Sequence, residues 1–346
     1  APPRGTKMRA PVAINARAAG RAEIGGVERL AREMAARLPR LHPARYEVIR
    51  PPARLVHRAG HLWEQAVLPL EARGAEVIYS PANLAPLASG RRNAVVIHDV
   101  AALRNPQWYS RAYVAYQRAL LPRIARGARL VITVSEFSRR EIADVLGVDS
   151  VVVPNGVDER FRPDADPTPA RRAHGLERPY VVAVGTRIAR KNLGVLDQAA
   201  RRLAEHGVDL VHAGSGRHYM QAETTQAMKP LGYVAEEHLP GLYAGALALA
   251  MPSLYEGFGL PCLEAMACGT PVVAANAGAL PETTGYAAIL IDPRDSEGFA
   301  DVLSRIATDD DLRERMSVDS LAQAAQYSWE RTAAQTDAVL ERALRA

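Results

Sequence analysis

Two carboxylates stand in one apolar, glycine-rich run: Glu256 and Glu264 in SLYEGFGLPCLEAMACGTPVV, residues 253–273. A carboxylate in such surroundings is disfavoured unless something meets its charge. Gly257, Gly259 and Pro261 forbid a regular element through LYEGFGLP, so that stretch reads as a loop. Pro261 suits the first position of a helix, and Gly269 suits the residue just past its end. The spacing puts Glu256 on the loop and Glu264 about one turn into the helix. The backbone amides of Phe258, Gly259 and Leu260 then point into a crevice, disposed for an anion. Glu264 is placed to accept hydrogen bonds from a vicinal diol, the use an acidic residue has on ribose in dinucleotide folds. Capping by the helix dipole accounts for one of the two acids but not for both.

A second chemical stretch is VGTRIARKNLGVL, residues 184–196. A strand ends at Gly185, a basic loop follows, and a helix is expected near Asn192. Arg190 and Lys191 sit at that helix N-terminus with Arg187 nearby, an arrangement that binds anions. By itself the stretch is better read as a solvated basic loop. The chain has only three lysines, Lys7, Lys191 and Lys229, which makes Lys191 the more informative. HAGSGRH, residues 212–218, is another glycine turn after a strand, suited to close backbone approach but common.

Other polar clusters have plainer explanations. TDDDLRERM (308–316) reads as Thr308 capping a helix with acids in its first turn, not as a metal site. Asp99 is expected to cap the turn after it. His57, His61, His174, His206, His212, His218 and His238 have no ligand spacing. Cys262 and Cys268 would fall ~240° apart around one helix, so no disulfide is expected, and no metal site.

These residues need a scaffold. PVAI (11–14), YEVI (46–49), EVIYS (76–80), AVVIH (94–98), LVITV (130–134) and VVV (151–153) read as buried strands. Amphipathic segments separate them, such as GGVERLAREMAARL with Val27, Leu30, Met34 and Leu38 on one face. SEFSRREIADVL opens on a capping serine, Ser135. The polar, proline-rich stretch 158–179 reads as an interdomain linker. Alternation then resumes, with strands at 180–185, 208–214, 246–252, 270–275 and 287–292. Helices are expected from near Asn192, Glu236, Pro261, Ser296, Asp309 and Trp329. Such alternation specifies parallel sheets wrapped by helices, here twice in tandem, with ligands at the carboxyl ends of the strands.

Composition sets outer limits. The chain has 346 residues, 48% hydrophobic and 23% charged, which fits two soluble α/β domains. No apolar run is long enough to span a membrane, and the opening APPRGTKMRAPVAI lacks a signal-peptide core. A reducing, cytoplasmic setting is expected from the cysteine usage. The net charge of +5 is uneven: residues 1–165 hold 26 Lys+Arg against 15 Asp+Glu, the rest 17 against 23. A basic first half suits an anionic partner such as a membrane surface or a phosphate-bearing acceptor, or is merely a solvated surface. YSRAYVAYQRALLPRIARGARL (109–130), with tyrosines between arginines, admits the same two readings. Nucleic acid is not expected, because no aromatic stacking platform accompanies the charge.

The pattern Glu256-x7-Glu264 resembles the signature of retaining group 1 (family 4) glycosyltransferases of the GT-B fold. IHDV, TVSEFSRREI, VVPNGVD, VGTRIARKNL, the long block from LGYVAEEHLPGLY through AANAGALPE, and SWERTA resemble that family's blocks in order. The resemblance implies two Rossmann-like domains: an acceptor-binding domain at 1–165, a nucleotide-sugar-binding domain at 166–325, and a C-terminal helix at 326–346 packing back on the first. It implies that Lys191 and Arg190 hold the donor diphosphate, Glu264 the ribose, and Glu256 the donor sugar. Phe258, Gly259 and Leu260 would cradle sugar and phosphate, and Gly232, Tyr233 and Val234 would form the base-binding turn. His98 would reach the donor sugar from the first domain, with Gly25 and Gly26 near phosphate and acceptor. Many relatives carry arginine where this chain has Thr186, a place that Arg187 or Arg190 could fill. The implied reaction moves a hexose from a nucleoside-diphosphate sugar to a glycan or glycolipid acceptor, without metal or cofactor. The IHDV and SEFSRREI blocks favour mannose from GDP-mannose, with UDP- and dTDP-sugars as alternatives. An epimerase or phosphorylase of the same fold, or a non-catalytic nucleotide-binding regulator, are the competing readings.

Overall fold

The computed structural model describes residues 10–21, 24–56, 60–214 and 227–345. Residues 215–218 of the HAGSGRH turn therefore lie outside the described residues, as do His57 and His218.

Among the described residues, six strands form the first sheet: β1 (Val12–Asn15), β2 (Tyr46–Ile49), β3 (Val77–Ser80), β4 (Asn93–Val96), β5 (Leu130–Thr133) and β6 (Val151–Val152). Six more form the second: β7 (Tyr180–Val184), β8 (Asp209–Ala213), β9 (Lys229–Gly232), β10 (Ala248–Met251), β11 (Val272–Ala275) and β12 (Ala288–Ile291). All pairings are parallel. The orders are β2-β1-β3-β4-β5-β6 and β12-β11-β10-β7-β8-β9. Each sheet is covered by helices on both faces, so β1, β3, β4, β10 and β11 are buried at every position. That is why the sequence shows short apolar runs rather than alternation.

In both sheets the strand order reverses beside the first strand, between β1 and β3 and between β7 and β10. The chain leaving those strands diverges to opposite sides and opens a crevice at their carboxyl ends. The two crevices face each other. Ser135 Oγ donates to Gly257 O at 2.7 Å and Ser138 Oγ to the same oxygen at 3.1 Å, joining the domains beside them. The carboxylate of Glu282, from the second domain, accepts the N–H groups of Glu136 and Phe137 at 2.7 and 3.0 Å. These amides open the first-domain helix Glu136–Leu146, which Ser135 also caps.

The chain crosses between domains twice. At Gly156–Val157 and Ser328–Trp329 the crossings touch: Val157 bridges to Ser328, and a Cβ on Gly156 would lie 2.2 Å from Ser328 C. The last helix, Trp329–Arg345, returns to the first domain. There Asp337 accepts from Tyr46 Oη at 2.5 Å and pairs with Arg45 at 2.7 Å, and Arg129 reaches Ala343 O.

Five local readings are corrected. No α-helix starts near Asn192. Two short 3₁₀ turns, Ala189–Lys191 and Leu193–Leu196, precede a helix at Asp197–Glu205, because Asn192 takes a left-handed conformation, φ 54°. The strand β9 was hidden by its own Pro230 and Gly232, tolerated because it is an edge strand. The helix expected from Glu236 spans Leu239–Ala244, with Pro240 in its first turn. Thr308 ends the helix Ser296–Thr308, and it is Asp309 that caps the next, accepting Leu312 N–H at 2.8 Å. The linker stretch also holds a short helix, Thr168–His174, and buries Phe161.

Candidate active site

The crevices together form one cleft of about 890 Å³. Strand ends supply its walls. β1 leads into Arg17, β4 into His98 and Asp99, β7 into Gly185 and Thr186, β9 into Tyr233 and Val234, and β10 into Glu256. Gly25 and Gly26 line it from the start of the helix Gly26–Leu41. The loop Gly257–Leu260 and Glu264 of the helix Leu260–Ala267 complete it.

Both acids of the opening run have partners within the chain, where the sequence left them with none. Glu256 Oε1 accepts from Lys191 Nζ at 2.6 Å, and its Oε2 lies 3.5 Å from Arg190. Burial pushes the Glu256 carboxyl up, but Lys191 and Arg190 outweigh it and hold the group below the usual carboxylate range. Glu264 Oε2 accepts from Tyr243 Oη at 3.1 Å, and its Oε1 lies 3.4 Å from Arg29. Burial raises the Glu264 carboxyl, with Arg29 opposing. The same arginine pairs with Glu236 at 2.8 Å. Arg29 belongs to the first domain, so this cluster straddles the cleft.

Lys191 is not presented by a helix N-terminus, as expected, but by a 3₁₀ turn packed under Gly185. A Cβ on Gly185 would come 2.9 Å from Lys191 Cε. Arg190 lines the cleft and donates to Tyr255 O at 2.9 Å. Arg187 is not among the residues lining it, so of the two arginines proposed to replace the one missing at Thr186, Arg190 has the position. Gly232 does not line it either. It makes the turn, φ 71°, that delivers Tyr233 and Val234. Among the described residues the N–H groups of Phe258, Gly259 and Leu260 donate to no protein acceptor. The left-handed Gly259, φ 100°, turns that loop into the helix.

His98 is buried, and its Nε2 lies 2.9 Å from Pro81 O, a spacing that requires the proton on Nε2. Burial lowers its basicity, which the carbonyl only partly offsets. The imidazole is thus neutral near pH 7, with Nδ1 as an acceptor. Gly257 packs on the His98 carbonyl so closely that a Cβ would lie 2.5 Å from it, which explains the glycine after Glu256. Asp99 caps the following turn through Ala101 N–H at 3.0 Å.

A family described as Glycosyltransferase Family 4 matches residues 24–161, and one described as Glycosyl transferases group 1 matches residues 178–309. The O-antigen chain mannosyltransferase B of Escherichia coli is 34% identical over 262 residues, 71% of this chain and 69% of that protein. The chain belongs to the group 1, family 4 glycosyltransferases. An MMP alpha-(1->4)-mannosyltransferase of Mycolicibacterium hassiacum is 32% identical over 69% of this chain and 58% of its own length. The D-inositol 3-phosphate glycosyltransferase of Corynebacterium jeikeium is 34% identical over 56% and 53%. The alignments thus span little more than half of these last two relatives.

Solved structures show that the glycosyltransferase has the GT-B fold. A sucrose-phosphate synthase from Thermosynechococcus elongatus superposes with a TM-score of 0.75 over 97% of this chain and 100% of that one, at 19% identity. HepE of Anabaena, in complex with UDP and glucose, gives 0.72 over 96% and 100%, at 21%.

Several residues in or behind the cleft escaped the sequence reading. Arg29 and Tyr243 hold Glu264 from 235 and 21 residues away. Arg17, His61 and Tyr116 line the first-domain wall. Of these, His61 drew notice as a surface or loop histidine and Tyr116 as one of the tyrosines between arginines in residues 109–130. No motif announces the others, because their partners are distant in the chain.

Proposed function

We propose that this glycosyltransferase is a retaining hexosyltransferase that moves mannose, with GDP-mannose as donor, to a glycan or glycolipid acceptor in cell-surface polysaccharide or glycoconjugate assembly. One observation carries the reading. The unbonded amides of Phe258, Gly259 and Leu260 share a cleft with Lys191 and Arg190, while Glu264 stands one turn further on in the helix that Leu260 opens. A leaving nucleoside diphosphate accumulates charge that such fixed donors stabilise without reorganising. Lys191 and Arg190 exceed Glu256 by one positive charge, so an anion is welcome there. Glu264 and its partners would meet the ribose diol, and Tyr233 and Val234 the base.

The two acids do not form the flanking pair of a double-displacement hydrolase, since Glu264 is tied to Tyr243 and Arg29. Same-side attack, with the departing phosphate taking the acceptor proton, fits that division. Mannose is favoured because two of the relatives above are mannosyltransferases by name.

No described helix is long and apolar enough to cross a membrane. The exposed Arg111, Arg118 and Arg123 of the helix Arg111–Gly127 suit peripheral contact with an anionic cytoplasmic leaflet. Cosedimentation with anionic but not zwitterionic vesicles tests it.

The decisive experiment screens thermal stability against UDP-, GDP-, dTDP- and ADP-sugars, since a ligand of the native state raises its Tm. GDP-mannose should stabilise most. NMR of the product should show the donor's anomeric configuration, with and without EDTA. An inverted product, or stabilisation by none of the four, defeats the proposal.

A further inference from the structure

We propose that the first-domain wall built by Arg17, His61 and Tyr116 over Glu64 is the acceptor subsite, and that it takes an uncharged pyranose rather than a phosphorylated acceptor. This rests on the transferase reading above and adds a substrate class to it.

The wall is a built site. Arg17 is only 4% exposed, and its Nε lies 3.2 Å from Oε1 of the fully buried Glu64. Asn15 Nδ2 donates to the same oxygen at 2.7 Å. The other oxygen, Oε2, is buried without a hydrogen-bond partner among the described residues, and His61 Nδ1 stands 3.5 Å from it. The His61 ring meets Tyr116 edge-on, centroids 5.9 Å apart. Gly60 leaves room for the arginine: a Cβ there would lie 3.2 Å from Arg17 Cδ. The guanidinium is therefore fixed by packing from one side and by a carboxylate from the other.

The chemistry of this wall suits a sugar. Guanidinium N–H groups offer forked donors to neighbouring hydroxyls, and an imidazole nitrogen supplies a further polar contact. The half-buried tyrosine offers an apolar ring to sugar C–H groups and a hydroxyl to oxygen.

The charges decide between classes of acceptor. Each arginine on this side already faces a carboxylate: Arg17 meets Glu64, Arg21 meets Glu28 at 3.1 Å, and Arg29 meets Glu264 and Glu236. A phosphate here would lie against Glu64 and Glu28 with no unneutralised arginine among the described cleft residues. At the opposite end Arg190 and Lys191 share the single Glu256. Among the described cleft residues, cations outnumber their ion-paired carboxylates at the donor end alone, where the charge of Asp99 also acts on Arg190. The basic excess of the first half, which by sequence suited an anionic acceptor, stands instead on the outer surface at residues such as Arg111, Arg118 and Arg123.

The test uses the purified protein with the nucleotide sugar that stabilises it. Methyl α-D-mannopyranoside and an α-mannobioside are compared with mannose 6-phosphate as acceptors. Expected is a kcat/KM for the neutral glycosides at least about tenfold above the phosphorylated sugar. Tyr116→Ala should raise the KM for the glycoside about tenfold, with the nucleotide-sugar Kd unchanged. The double variant Arg17→Met/Glu64→Gln, which removes both buried charges together, should do the same. Preference for mannose 6-phosphate, or an unchanged acceptor KM in both variants, overturns the proposal. Nucleotide-sugar binding and hydrolysis without transfer to any neutral glycoside defeats the subsite alone. Absence of nucleotide-sugar binding defeats the transferase reading, and the subsite falls with it.

Discussion

Lys191 has two tasks, and they make its substitution informative. It neutralises a buried carboxylate at 2.6 Å and supplies charge to the donor end of the cleft. Lys191→Ala leaves Glu256 with Arg190 alone, at 3.5 Å. Unfolding free energy should fall by about 3 kcal/mol, and transfer should fall to background. Denaturant titration and a donor-turnover assay measure both. Wild-type turnover in a folded Lys191→Ala protein sinks the diphosphate assignment. His98 gives a pH signature. Its basicity is lowered in the folded state, chiefly by burial, so the unfolded chain binds the proton more readily. Stability from this residue is full above its ordinary value near 6.5 and is lost as pH falls through that value toward the lower folded one. His98→Phe should flatten this limb of a Tm-versus-pH curve. At this scale the sequence showed the types of the donor-side groups but not who holds them. Glu264 and Arg29 are joined only by the fold, and no spacing rule connects a helix near the start to one near residue 264.

Among elements, the helix Glu136–Leu146 shows how the cleft is kept in register. Its own Ser135 caps it, and Glu282 of the other domain takes two more of its free amides. Glu282→Gln weakens those charge-assisted bonds. It should lower stability by about 1 kcal/mol, readable from Tm, and enlarge the radius of gyration in solution scattering. An unchanged radius would show that the domains stay together without this contact. Most elements were legible because parallel strands buried on both faces must be apolar, and eleven of the twelve were found that way, β9 being the exception. The losses have local causes. Asn192 bends the basic loop by a left-handed turn that asparagine tolerates and a helical pattern does not reveal. Acids at 309–311 fixed a helix start, yet Asp309 rather than Thr308 holds the cap position, because the preceding helix runs on through Thr308.

For the whole molecule the critical position is Gly156, where one crossing lies on the other. A methyl group there would fall 2.2 Å from Ser328 C and 2.6 Å from its carbonyl oxygen, both backbone atoms that cannot rotate away. Gly156→Ala should destabilise the protein by at least about 2 kcal/mol, and a Tm equal to wild type would contradict the packing described. The two-domain plan itself was visible in the repeated alternation and the linker composition. The closeness of the crossings was not, since it depends on residues 171 positions apart. The returning helix carries a consequence for synthesis. The second sheet is drawn from one unbroken stretch, from Tyr180 to Ile291. The first domain has six early strands but buries Trp329 and Leu340 and pairs Asp337 only at the end of the described chain. A ribosome therefore releases the first-made domain last in finished form. Until then Tyr46 and Arg45 wait without their carboxylate, and the later-made domain can complete its own sheet before the earlier one is sealed.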